Sequence, residues 1–176
     1  MMEPAVRATV PGSVVRDAAA GDRAAFTELV ATYHADLLRL AMVISGDADM
    51  ANDAAQAAWH TAWRKLRQLR DPARVRPWLL SIAANEARQA LRRRSHLVAM
   101  PTGEVDRLPQ LDPIDAIDLA RALATLRPDE RQLIGLRYVA GFSAPELAEA
   151  LHLTPEGVRT RLKRILDRLR RELGDE

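Results

Sequence analysis

The sequence predicts an all-α protein built as two small helical domains on a flexible linker. Three observations carry that expectation. Alanine, leucine and arginine dominate the 176 residues, and all three are strong helix formers. Apolar residues recur at three- and four-residue spacing along most of the chain, and no stretch alternates as a strand would. One segment, 95–111, breaks that pattern with Pro101, Gly103, Pro109 and mixed charge, the composition of a tether. The expected division is a mobile tail over 1–15, a first domain over 16–94, the linker over 95–111 and a second domain over 112–176.

Composition narrows the function classes. The net charge is only +2, so any affinity for nucleic acid must come from local clusters. Of the 26 basic residues, 24 are arginine. That excess suits phosphate and base recognition, and it is also what a GC-rich coding genome produces. Cysteine is absent, which excludes disulfides and thiolate metal sites and fits an intracellular location. No apolar run approaches the length of a membrane span, and no signal peptide is visible. A soluble cytoplasmic protein with no membrane contact of its own is expected. Catalysis finds no support. His34, His60, His96 and His152 form no His-Glu-x-x-His pair, and no glycine-rich phosphate loop is present. Asp47, Asp49 and Asp53 lack the spacing of a calcium loop. No cofactor and no metal are expected.

The first helix starts at Asp22. Phe26, Leu29, Val30, Tyr33, Leu37 and Leu40 form its apolar face, and Gly46 stops it. A second helix covers about 49–69, with Ala55, Trp59, Ala62, Trp63 and Leu66 as the expected buried stripe. Asp49, Asn52, Asp53 and Gln56 make a polar patch in its first two turns. Carboxylates there suit the helix dipole, and a partner-binding patch would use the same residues. Spacing alone leaves both readings open.

The loop from Arg70 to Pro77 is basic and carries two prolines, and Pro77 opens a third helix reaching Arg94. Leu79, Ile82, Ala83, Glu86, Ala87 and Ala90 share one side of it. Trp78, Ser81, Asn85, Arg88, Gln89 and Arg92 share the other. An aromatic that can stack on a base, an amide that can read a base edge and arginines for phosphates suit single-stranded nucleic acid. Trp78 also has the position of a core residue at a helix entry.

The second domain opens at Asp112-Pro113, with a helix to Leu126. Pro128 starts the next helix, whose Leu133, Ile134, Leu136, Tyr138 and Val139 lead to Gly141. Ser143 with Glu146 then reads as a capping box. Thr154-Pro155 reads as a cap followed by a first-position proline. The short turn Leu151-His152-Leu153 between them makes a helix-turn-helix. In the last helix Val158, Leu162, Ile165, Leu166, Leu169 and Leu173 form one stripe. Arg159, Thr160, Lys163 and Arg164 lie on another face. Seven basic residues stand against one acid between Arg159 and Arg171, a face suited to a DNA major groove.

Both halves resemble one family, the bacterial RNA polymerase sigma factors of the extracytoplasmic-function (ECF) group. Gly46 to Trp63 is similar to the region 2 helix, and the resemblance implies that Asp49, Asp53 and Gln56 dock on core RNA polymerase. Arg76-Pro-Trp78 through Asn85, with Leu91 to Arg94, is similar to the segment that recognises and opens the −10 element. It implies DNA contacts from Arg76, Trp78, Asn85, Arg88 and Arg92. Leu126 to Ser143 and the helix-turn-helix beyond resemble region 4, which reads the −35 element, implying contacts from Arg159, Thr160, Lys163 and Arg164. The implied partners are core polymerase, promoter DNA and an anti-sigma factor. The chain departs from the family pattern at Met50, Asn52 and Ala57, where acids are common, and at His152, where glycine is common. A free-standing helix-turn-helix regulator would share the second half. It would not need Trp78, Asn85 and the arginines of the third helix facing outward together.

Overall fold

The structure, a computed structural model, describes residues 9–95 and 121–174. Among these the chain is helical with no strand. Four helices form the first unit: α1 (Gly12–Ala20), α2 (Arg23–Ser45), α3 (Ala48–Lys65) and α4 (Val75–Ser95). The second unit holds α5 (Pro128–Ile134), a π-helical turn (Gly135–Val139), α6 (Ala144–Leu151) and α7 (Pro155–Gly174). The expected linker beyond Ser95 and the expected helix from Asp112 lie outside the described residues, except for the end of that helix at 121–126.

Local chemistry sets most boundaries. The Asp22 carboxylate accepts from the Ala24 and Ala25 amides at 2.7 and 3.2 Å and starts α2. Gly46 ends it in the left-handed region at φ 69°. Asp47 accepts from the Met50 amide at 2.9 Å and starts α3. α4 begins two residues earlier than expected, at Val75. Pro77 sits in its first turn, where the missing amide hydrogen breaks no helical bond. The loop before it is itself ordered as a short 3-10 turn over Pro72–Arg74, capped by Asp71.

Two expectations are corrected here. Residues 12–15 are not tail: they begin α1, whose Val15 and Ala18 are buried. Nine residues are too few for periodicity to register, and the helix is held by its packing on α2. Trp63 is not buried: it is 39% exposed and meets Phe26 edge-on, with centroids 4.8 Å apart. Trp59, one turn earlier, fills the interior instead and donates from Nε1 to His34 Nδ1 at 3.2 Å.

α2 is the centre of the first unit. Its Leu29, Tyr33, Leu37, Leu40 and Ile44 are nearly inaccessible to solvent, and each buried side chain of this size contributes about 1.5–3 kcal/mol. α1, α3 and α4 pack around it. α2 and α4 also carry α5 and the π-helical turn, so both units share one continuous apolar cluster.

Candidate nucleic-acid and polymerase interface

The helix-turn-helix is built as its sequence requires. Ser143 Oγ accepts from the Glu146 amide at 3.4 Å, and the Ser143 amide donates to Glu146 Oε2 at 2.7 Å. The Ser143 hydroxyl and amide hold the Glu146 carboxyl below its usual range. His152 closes α6 in the left-handed region at φ 54°, ψ 47°. Thr154 Oγ1 accepts from the Gly157 amide at 3.1 Å and starts α7. Val158, Leu162, Ile165 and Leu169 are buried. Leu166 is half-buried, and Leu173 at the end of the stripe is 50% exposed. Arg159, Thr160, Lys163 and Arg164 are all exposed on α7. Arg168 is instead bound to Glu130 of α5 at 2.6 Å and ties the recognition helix to its scaffold.

On α3, Asp49, Asp53 and Gln56 are exposed. The helix cap is Asp47, two residues before the patch begins at Asp49, and it also pairs with Arg94 of α4. The Met50 amide and then Arg94 hold its carboxyl below the usual range. With capping already satisfied by Asp47, Asp53 and Gln56 are not needed for that task.

The expected −10 face of α4 is less open than its spacing predicts. Arg76 is half-buried and pairs with Asp36 of α2 at 2.8 Å, and its guanidinium also donates to the Ala140 carbonyl at 3.2 Å. Trp78 is half-buried against the core. Asn85 is half-buried, and its Oδ1 accepts from Gln132 Nε2 of α5 at 2.8 Å. Arg88 is half-buried, and its Nε has no hydrogen-bond partner among the described residues. Arg92 is exposed. Arg88 from α4 and Arg161 and Arg164 from α7 line one cleft of about 390 Å³ between the units. Residues expected to meet two different promoter elements therefore face one cavity. Sequence reasoning missed Asp36, Gln132 and Arg161. Arg161 had a signal in the basic run, whereas Asp36 and Gln132 meet partners 40 and 47 residues away and had none.

Among the described residues no helix is long and apolar enough to cross a membrane. The Sigma-70 region 2 family matches residues 29–97, and the Sigma-70, region 4 family matches 116–169. The ECF RNA polymerase sigma factor SigM of Mycobacterium tuberculosis is 34% identical over 159 residues, covering 88% of this chain and 80% of SigM. The probable RNA polymerase sigma factor RfaY of Xanthomonas campestris pv. campestris is 32% identical over 170 residues. That match covers 89% of this chain but only 42% of RfaY. The sigma factor RpoE from Bartonella quintana, solved with the anti-sigma factor NepR, superposes with a TM-score of 0.72 at 25% identity. The match covers 85% of this chain and 96% of that one. The fold and the helix-turn-helix define a two-unit DNA-binding transcription factor. The chain belongs to the ECF sigma factors of RNA polymerase, transcription initiation factors that confer promoter recognition.

Proposed function

We propose that the two units divide promoter recognition between them: α4 recognises and opens the −10 element, and α7 reads the −35 element in the major groove. The observation that carries this reading is the α7 surface, where Arg159, Thr160, Lys163 and Arg164 are exposed together behind a capped helix-turn-helix. Arginine pairs with guanine edges in that groove, and the hydroxyl and ammonium add contacts to bases and phosphates. On α4, Asn85 supplies the amide for a base edge and Arg76, Arg88 and Arg92 supply charge for the strand. Trp78 offers an aromatic surface at the helix entry.

Asp49, Asp53 and Gln56 are assigned to docking on core polymerase. Their exposure and the separate cap at Asp47 support that role. An anti-sigma factor is the expected regulator, because the Bartonella quintana relative is solved with one. The cytoplasm is the expected location. In vitro transcription with core polymerase on a pool of random-sequence duplexes, with start sites mapped, tests the reading. A shared −10 and −35 pair upstream of the starts supports it. Specific retention of duplex DNA by the chain without polymerase, and no transcription with it, rejects it.

A further inference from the structure

The cleft of about 390 Å³ between α4, α5 and α7 gathers more positive charge than the chain itself neutralises. Arg88 lines it from α4, and Arg161 and Arg164 line it from α7. None of the three has an ion-pair partner among the described residues. The two carboxylates of the same wall are already taken. Asp129 accepts from Arg127 Nη2 at 2.9 Å, and Glu130 accepts from Arg168 Nη2 at 2.6 Å. Neither is left to offset the three guanidiniums.

Burial sharpens the imbalance at Arg88. Its side chain is half-buried, and its Nε is shielded from solvent with no hydrogen-bond partner among the described residues. A buried donor is costly to leave unmet. An acceptor entering the cleft would relieve that cost.

The rest of the wall is apolar. Leu133 and Ile165 are buried, and Leu153 from the turn between α6 and α7 is half-buried. A cavity of this size falls within the usual span for small-ligand sites, roughly 300–1,000 Å³, which combine an apolar wall with a few polar groups that fix orientation. Guanidiniums are planar forks that bind phosphate oxygens in pairs. A single carboxylate would leave most of these donors unmet, whereas linked phosphoryl groups offer acceptors to all of them. The apolar wall beside them suits the flat face of a base. Promoter recognition does not account for this grouping. It assigns Arg88 and Arg164 to different DNA elements and gives them no reason to share an apolar cavity.

We propose that the cleft is a binding site for a nucleoside diphosphate, with the phosphates on Arg88, Arg161 and Arg164 and the base against Leu133, Leu153 and Ile165. Arg164 also belongs to the α7 surface assigned to DNA, so a bound nucleotide and the −35 element draw on one guanidinium.

Isothermal titration calorimetry of the full chain with ADP, GDP, pyrophosphate and adenosine in turn tests this. ADP or GDP is expected to bind at one site per chain and more tightly than pyrophosphate, with adenosine far weaker. Arg161→Ala and Arg88→Ala should each weaken nucleotide binding by about tenfold or more, as the loss of a charge-assisted hydrogen bond predicts. Arg161 is exposed, so its replacement leaves the core intact, and a melting curve of each variant reports the fold. Leu153→Asn should weaken binding of the nucleotide and leave that of pyrophosphate unchanged. Arg171→Ala, exposed on α7 but outside the cleft, should leave nucleotide affinity unchanged. Absence of saturable binding by both nucleotides overturns the proposal, as does unchanged affinity in Arg88→Ala or Arg161→Ala. An equal loss in Arg171→Ala and Arg161→Ala also overturns it, because the signal is then a diffuse attraction of anions to α7. Pyrophosphate binding as tightly as either nucleotide overturns the placement of the base, and with it the nucleotide class. No DNA or polymerase is present in the titration, so its outcome is independent of the promoter assignment.

Discussion

His152 is the one described non-glycine residue with a positive φ. A left-handed residue with a Cβ costs roughly 1 kcal/mol, and histidine tolerates it better than most. A branched Cβ is worse. His152→Val is therefore expected to lower stability by a further ~1 kcal/mol, read as an earlier midpoint in urea. An unchanged midpoint contradicts the strain. Asp47 makes the complementary case. It caps α3 through the Met50 amide and pairs with Arg94. Its folded pKa is depressed below the ordinary 3.8. Its contribution is therefore present above that value and is lost as pH falls through the folded one. Asp47→Ala should cost about 1 kcal/mol at neutral pH, the usual loss for such a cap. Melting the variant beside the parent chain from pH 7 down to pH 3 checks this. The gap between them should shrink toward the acid end, and a gap that widens there contradicts the assignment.

At the scale of the element, the proposed function gives α7 and α3 separable tasks. Arg159→Ala or Arg164→Ala should cost about 1–3 kcal/mol of promoter binding and relax base preference at single positions of the −35 element. Competition binding by holoenzyme against single-base promoter variants measures this, and wild-type selectivity in both variants contradicts it. On α3, Asp53→Arg should abolish holoenzyme assembly while leaving the circular dichroism spectrum of the chain unchanged. Normal capture by core polymerase rules that out. These elements were legible because their signals are local. A cap, a first-position proline or a left-handed stop acts within four residues, and Asp22, Gly46, Ser143, Thr154 and Pro155 all stand where the spacing puts them. α1 was not legible, because nine residues give too short a period and its burial depends on α2. Trp63 misled because it has the spacing of the buried stripe. The interior is already filled by Trp59 and small alanines, which leaves the second indole at the rim against Phe26. Asn85 was expected on an outward face, but it meets Gln132, 47 residues away, and no periodicity within either helix reports that meeting.

For the molecule as a whole, the two units pack around α2 and α4, and the cleft between them gathers Arg88, Arg161 and Arg164. The proposed function assigns α4 and α7 to different promoter elements, so binding and opening of DNA should be separable steps. Extruding and unstacking a −10 base costs a few kcal/mol. Stacking on an aromatic returns about 1–3 kcal/mol per base, with backbone contacts in addition. These terms nearly balance, so the loss of one or two α4 contacts should stop opening without preventing binding. Permanganate reactivity of unpaired thymines at a mapped promoter tests this most directly. Holoenzymes carrying Asn85→Ala, or Arg88→Ala together with Arg92→Ala, should assemble and hold the −35 element. They should leave the thymines of duplex promoter unreactive, and they should regain transcription on a template with a premelted bubble. Thymine reactivity equal to wild type on the closed duplex in both variants would contradict the assignment of strand opening to α4.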